Sequence, residues 1–316
     1  MPETTTVAAA PESLEGGSGV RGFRLPSLAR APKPVRAAAR YAALLPFVAY
    51  VGYFLAFPLV KIIIGAFQSP TTGAWTTANV DTAVHGVYLE GFRQSITLSL
   101  IAAVIPGIVG MLIAYAIFTA KRASFLRQIV ITASGVFANF GGVPLAFVFI
   151  ASVGSSALVT TWLNDIGINL YNLGFSISNL TGMELVYSYF QIPLMVLIIL
   201  PALEGLRPAW REAAENLGAR SWQFWRYVGG PVLLPSFLSC LIILFGSAFA
   251  AYATAEALTS GSIPLTSIQI GNLVSGNVIA NGTNLGEALA FGMVIIIAIL
   301  MVFYLLMQRR ASKWLR

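Results

Sequence analysis

The sequence predicts an all-α polytopic membrane protein with six transmembrane helices. Three observations carry that prediction: an apolar composition, six long apolar runs, and cations confined to alternate connections. Of the 316 residues, 57% are hydrophobic and only 10% charged, against roughly 25% charged in an ordinary soluble domain. The net charge of +7 would suit a nucleic-acid partner, but the places where the cations fall point to membrane topology instead. The one cysteine, Cys240, sits inside an apolar run, so neither an internal disulfide nor a cysteine-based metal site can form.

The elements follow in order. Residues 1–40 read as a disordered, basic, cytoplasmic tail. Its first half, Met1 to Gly22, is rich in Ala, Thr, Glu, Gly and Ser; its second interleaves Arg21, Arg24, Arg30, Lys33, Arg36 and Arg40 with Pro26, Pro32 and Pro34. Such a segment buries too little to fold. The run that follows is too long for a cleaved signal peptide and reads as a retained anchor. A helix needs about 20 apolar residues to cross the hydrocarbon core. Tyr41 to Phe67, Gln94 to Ala120, Gln128 to Ser152, Met183 to Leu206, Val232 to Ala255 and Leu285 to Gln308 each qualify. They make residues 41–308 a membrane domain, with 309–316 a basic cytoplasmic tail. Prolines within or near the runs, at 46, 58, 106, 144, 193 and 201, predict bends rather than breaks.

Lysine and arginine gather on the cytoplasmic side of such proteins. Beyond the N-terminal tail they fall after the second run (Lys121, Arg122, Arg127), after the fourth (Arg207, Arg211, Arg220, Arg226) and at the end (Arg309, Arg310, Lys313, Arg316). Only Lys61, which can snorkel from the outer end of the first run, and Arg93 lie elsewhere. Both termini are therefore expected inside. The connections Val153 to Gly182 and Ala257 to Asn284 hold no cation, and their apolar stretches predict short helices at the outer surface.

The fourth connection sets charge between two apolar runs: "LRPAWREAAENLGARSWQFWRYVGGPVLLPS", Leu206 to Ser236. Pro208 suits the first turn of a helix. Trp210, Ala213, Ala214 and Leu217 then recur on one face, with Arg211, Glu212 and Glu215 on the other. Gly218 supplies a left-handed end, and Ser221 is expected to cap a second short helix before Gly229, Gly230 and Pro231 re-enter the membrane. An amphipathic hairpin lying on the inner leaflet would explain the tryptophans and arginines equally well. The small face formed by Ala213, Ala214 and Gly218 favours contact with another backbone, because a lipid-facing stripe would gain from larger side chains.

"EAAENLGARSWQFWRYVGGP" resembles the EAA loop (here 207–231) of the membrane subunits of bacterial ABC importers, whose pattern is Glu-Ala-Ala, three residues, Gly, nine residues, then Ile-x-Leu-Pro. Glu212, Ala213, Ala214, Gly218 and Pro231 match it; Val228 stands for Ile and Gly230 for Leu. The position, between the fourth and fifth of six spans, is also that of the family. The resemblance implies that the first helix of this loop is a coupling helix seated in a groove of a cytoplasmic ATPase, through Trp210, Glu212, Ala213, Ala214, Leu217 and Gly218. It implies as partners two ATPase subunits, a second permease that is identical or homologous, and an extracytoplasmic solute-binding protein. No Gly-x-x-x-x-Gly-Lys-Ser/Thr phosphate loop occurs in the chain, so ATP and Mg are expected on the partner subunits and no cofactor or metal on this one. No catalytic residue is expected either.

Lys61, Glu184, Glu204, Glu256 and Glu287 all fall near the ends of runs. That disfavours a proton-coupled secondary carrier, which needs ionisable groups in mid-membrane. No cluster of His, Asp and Glu suggests an enzyme, and the single His85 is expected in an outer loop. Asn139, Tyr187, Tyr189, Gln191, Ser247, Tyr252 and Glu256 are the polar residues left to line a path, although tyrosines near run ends also serve as interface anchors. Glu256 near Tyr252 would favour a cationic solute. "FGGVPLAFVFI", Phe140 to Ile150, and "FAAYATAEALTSG", Phe249 to Gly261, resemble segments of the spermidine/putrescine-type branch. That resemblance makes a polyamine the first expectation and a sugar the second.

Overall fold

Glycines and other small residues decide how the helices of this protein meet. The computed structural model describes residues 44–120, 124–276 and 282–314, so the tail expected over 1–40 lies outside the described residues. The chain divides into two units, 1–57 and 58–316. Helix α1 is Leu44–Ala66; in the first unit it includes a π-helical turn, Gly52–Ala56, and Tyr53 stacks on Phe57 at 5.7 Å.

The second unit continues through a tight loop, closed by a bridge between Gln68 and Trp75, into α2 (Ala78–Ala83) and α3 (Gly86–Thr119). Then come α4 (Ser124–Asn139), α5 (Gly142–Val153), α6 (Leu158–Asp165) and α7 (Leu180–Glu204). Helix α8 is Pro208–Asn216, and α9 is Ser221–Ala250. The last three are α10 (Ala253–Thr259), α11 (Thr266–Val274) and α12 (Thr283–Trp314). Among the described residues no strand forms, and six helical stretches are long and apolar enough to cross a membrane. The all-α, six-span expectation holds.

Helices α3, α7 and α9 pack on one another. A Cβ on Gly110 of α3 would lie 2.6 Å from Met195 Cβ and 2.8 Å from the Ile192 carbonyl oxygen of α7, and one on Gly107 would lie 2.4 Å from Leu241 of α9. Helix α4 packs on α7, and α12 on α9 and α11. Two apolar clusters result. One joins Ala114, Met195, Ile199, Leu203 and Leu244; the other joins Leu98, Leu145, Met183, Val186 and Leu258.

The structure corrects the sequence reading in three places. The third apolar run is two helices, α4 and α5, because Gly142, at the first position of α5, takes φ +74°, a conformation that the interior of an α-helix cannot include. Its N–H donates to Thr254 Oγ1 at 2.9 Å, which satisfies a donor that the break sets free. The fifth run stops at Ala250 instead of Ala255 and restarts as α10. At the other end of that run nothing interrupts the chain at Gly229, Gly230 and Pro231. A π-helical turn, Trp225–Gly229, carries the helix through, with the Gly230 N–H donating to Trp225 O. Helix α12 runs on to Trp314, past the end of its candidate span at Arg309, so the segment expected as a tail begins as helix. Short helices occur in or beside the cation-free connections, as α6, α10 and α11.

Candidate coupling hairpin and translocation path

Pro208 begins α8, and Arg207 before it is extended (φ −68°, ψ 126°), as a residue preceding proline prefers. Gly218, at φ +77°, ends it. The Gly218 N–H donates to Glu215 O and the Ala219 N–H to Ala214 O, both at 2.9 Å, which is the paired bonding of a Schellman turn. The expected N-cap shifts by one residue. Ser221 is the first residue of α9, and the cap is Arg220, whose N–H donates to Gln223 Oε1 at 2.7 Å. The carboxamide of Gln223 thus takes up the N–H of the cap residue itself, a different donor from the first-turn N–H that a serine hydroxyl would have accepted.

The residues expected to seat the helix fall on two flanks of it. Trp210, Ala213, Ala214 and Leu217 line a groove of about 490 Å³ together with Tyr227, Val228, Pro231 and Val232 of α9. Trp210 packs against the core, whereas Leu217 is 87% exposed. Glu212 lies on the other flank. With Arg207, Arg211 and Glu215 it rims a larger cavity of about 650 Å³, walled by Tyr115 and Phe118 of α3 and by Phe224 and Trp225. Arg211 pairs with Glu215 at 3.0 Å, and the guanidinium of Arg207 stands 5.9 Å from the centre of the Trp210 ring.

Behind the hairpin, Trp225 meets Tyr115 edge to face at 5.2 Å. The indole has room because residue 229 is glycine: a Cβ there would come within 2.7 Å of the ring. Sequence reasoning saw Gly229 and Gly230 as a membrane re-entry point. Gly229 is also the small side of an aromatic joint between α3 and α9, while a Cβ on Gly230 would meet the Trp225 carbonyl oxygen at 2.6 Å.

Of the path candidates, Asn139, Ser247 and Tyr252 share a cavity of about 280 Å³ with Ala138, Gly141, Gly142, Phe190, Ala251, Ala253 and Thr254. It lies where the break between α4 and α5 meets the break between α9 and α10. Tyr187 and Gln191 are buried instead. The Tyr187 hydroxyl donates to Ala251 O at 3.4 Å, and Gln191 Nε2 to Leu244 O at 2.8 Å. Tyr189 stands apart, in an aromatic cluster with Phe137 and Phe149 at 5.5 and 5.6 Å. Glu256 places Oε2 in the interior without a hydrogen-bond partner. Thr254 is the residue that sequence reasoning missed. Its signal was indirect: a Gly-Gly-x-Pro in the third run announces a break whose freed N–H needs an acceptor.

No family model matches the sequence. Among curated proteins, a probable sulfate transport system permease protein (cysT) of Nephroselmis olivacea is 26% identical over 216 residues, 66% of this chain and 72% of that protein. A spermidine/putrescine transport system permease protein (PotB) of Haemophilus influenzae is 27% identical over 168 residues; the match spans 52% of this chain and about half, 54%, of that protein. Among solved structures, a bacterial alginate ABC transporter, crystallised with its pentasaccharide-bound periplasmic protein, matches with a TM-score of 0.68 and 19% identity, covering 88% of this chain and 96% of the matched one. The fold is that of the ABC importer permeases, and the relatives in sequence are permease proteins named for different solutes.

Proposed function

We propose that the chain is the membrane-spanning subunit of an ATP-driven importer, with both termini and the α8–α9 hairpin in the cytoplasm. The observation that carries this reading is the hairpin itself. A nine-residue helix stands between the fourth and fifth spans, ended by a Schellman turn, and presents Ala213, Ala214 and the exposed Leu217 beside a ready groove. Such a face admits another protein's backbone, and the chain holds no phosphate loop of its own. Two ATPase subunits bind ATP and Mg below it, a second permease completes the pathway, and an extracytoplasmic binding protein delivers the solute. Trp210 fixes α8 to the body of the permease, Glu212 meets the ATPase at the edge, and Gly218 sets the angle to α9.

Asn139, Ser247 and Tyr252, around the cavity at the two helix breaks, form part of the path, since irregular backbone at membrane depth is tolerated where it lines a cavity. The solute is a small polar molecule, and a polyamine is the finer reading, supported by the PotB relative. A sugar is the second reading, supported by the likeness to a polysaccharide importer. The test is affinity purification of the membrane-extracted chain, with identification of every co-purifying protein. An ATPase and a solute-binding protein are expected. A chain that emerges alone, and drives uptake from a proton gradient without ATP, would overturn the importer reading.

A further inference from the structure

Helix α4 has three different faces. It lies along the spanning helix α7, from an ion pair between Arg127 and Glu204 at one end to the contact of Phe137 with Tyr189 at the other, so its 16 residues stand at membrane depth. The face toward α7 carries Val130, packed on the core, buried Ser134 and Phe137. An exposed apolar face, with Ile129 and Val136, suits lipid. Beside it runs a polar face. Gln128, Thr132 and Asn139 are exposed on it, and a Cβ on Gly135, between them, would meet nothing within 4 Å. At 3.6 residues per turn these four positions lie within about 60° of one another and span about 17 Å along the axis.

Such a face is out of place in lipid. Unpaired carboxamides and hydroxyls are costly in an apolar medium, and polar side chains within spans turn to the bundle interior or to water. Hydroxyls elsewhere are satisfied by their own helix: Thr97 donates to Arg93 O at 2.8 Å and Thr119 to Tyr115 O at 3.0 Å. Among the described residues, the Thr132 hydroxyl and the Gln128 carboxamide make no such bond. Asn139 engages only Nδ2, with Gly135 O at 2.8 Å. The polar face is also open at both ends. Asn139 shares its cavity with Ser247 and Tyr252, at the two helix breaks, and Gln128 and Thr132 line a second recess of about 270 Å³ with Arg127 and Ile131. It thus leads from the helix breaks to the end of α7 that runs into the hairpin.

We propose that Gln128, Thr132 and Asn139 form an uncharged, water-lined wall of the translocation path, carrying it from the cavity at the helix breaks to the hairpin end of α4. This rests on the importer reading and adds path residues in the half of the membrane nearer the ATPase. Carboxamides and hydroxyls both donate and accept, so the wall exchanges hydrogen bonds with a hydrated solute and offers no ion pair to hold it. That suits passage, which needs contacts favourable enough to enter and weak enough to leave. Gly135 keeps the middle of the wall clear. The guanidinium at the inner end, that of Arg127, is paired with Glu204.

The experiment uses the full chain carrying Cys240→Ser, purified with its co-purifying subunits and placed in lipid nanodiscs, where both membrane faces meet solution. Single cysteines with a parent-like size-exclusion profile are reacted with a small, charged methanethiosulfonate, with and without ATP and vanadate. Gln128→Cys and Gly135→Cys are expected to react at least tenfold faster than Ile129→Cys and Val136→Cys in one or both conditions, and Thr132→Cys and Asn139→Cys to follow the fast group. Neighbours in sequence share a depth, so depth alone predicts equal rates. Equal rates on the two faces, or a polar face unreactive in both conditions, would overturn the proposal. Unreactive cysteines that cross-link to a second permease would overturn it too, by making the face a dry seam between subunits. Vanadate-sensitive ATP hydrolysis by the same preparation separates the two ideas. If it is present and the polar face stays unreactive, only the wall is wrong; if it is absent, the importer reading falls and the path with it.

Discussion

Gly218 shows how much one residue can decide. A Cβ there would meet nothing within 4 Å, so Gly218→Ala carries no steric clash. Its cost is the left-handed backbone alone, about 1–2 kcal/mol for a residue with a Cβ. We expect Gly218→Ala to lower ATP-driven uptake sharply, with the protein still inserted in the membrane. Gly218→Asn should retain more activity, because asparagine tolerates that conformation. Equal loss in both variants, measured by uptake into vesicles at matched protein level, would show that something other than backbone conformation is at stake. Thr254 is the converse case, a side chain that acts at long range. Thr254→Val removes the acceptor of the Gly142 N–H, a half-buried hydrogen bond whose loss should cost about 1 kcal/mol. A melting temperature unchanged from the parent in the same detergent would refute that role.

At the scale of elements, the hairpin was the most legible part of the sequence and the helix breaks were the least. Pro208, the alternation of Trp210, Ala213, Ala214 and Leu217 with charge, and Gly218 together fixed the limits of α8 to within a residue, because capping and periodicity are local. The break at Gly142 was signalled only by Gly-Gly-x-Pro, a weak sign because glycine is common within membrane helices and the run stays largely apolar. What stabilises the break is Thr254, 112 residues away. The opposite error, a break expected at Gly229-Gly230-Pro231, has a comparable cause. A proline normally disrupts the hydrogen-bond ladder, but the π-helical turn before it already shifts that ladder by one residue. The path candidates were named by residue type and only partly gathered: Asn139, Ser247 and Tyr252 share a cavity, and Tyr189 does not. The aromatic joint gives a test at this scale. Gly229→Leu must displace Trp225 from Tyr115, and we expect uptake to fall at least tenfold together with a change in tryptophan emission. An unaltered emission spectrum would mean that the joint can repack freely.

For the molecule as a whole, the close α3–α7 approach at Gly110 leaves no room for a side chain. Gly110→Leu is expected to lower stability by about 1–3 kcal/mol through overpacking, or to prevent accumulation; a parent-like melting temperature would contradict the packing described. Orientation has its own check. A cysteine replacing Leu217, in a chain carrying Cys240→Ser, should react with an impermeant thiol reagent only from the cytoplasmic side, and labelling from outside would invert the topology. Helix α3 adds a consequence of its length. Its 34 residues extend about 50 Å, against a hydrocarbon core of about 30 Å. It is a mast taller than its deck. At its foot stand Tyr115 and Phe118, walls of the cavity beside α8; toward its head stands Gln94. A rigid tilt of about 10° around the middle of such a rod swings each tip by about 4 Å, more than a hydrogen-bond length. A push on the foot is thus enough to remake or break polar contacts at the head, with no need for any side chain in between to change partners.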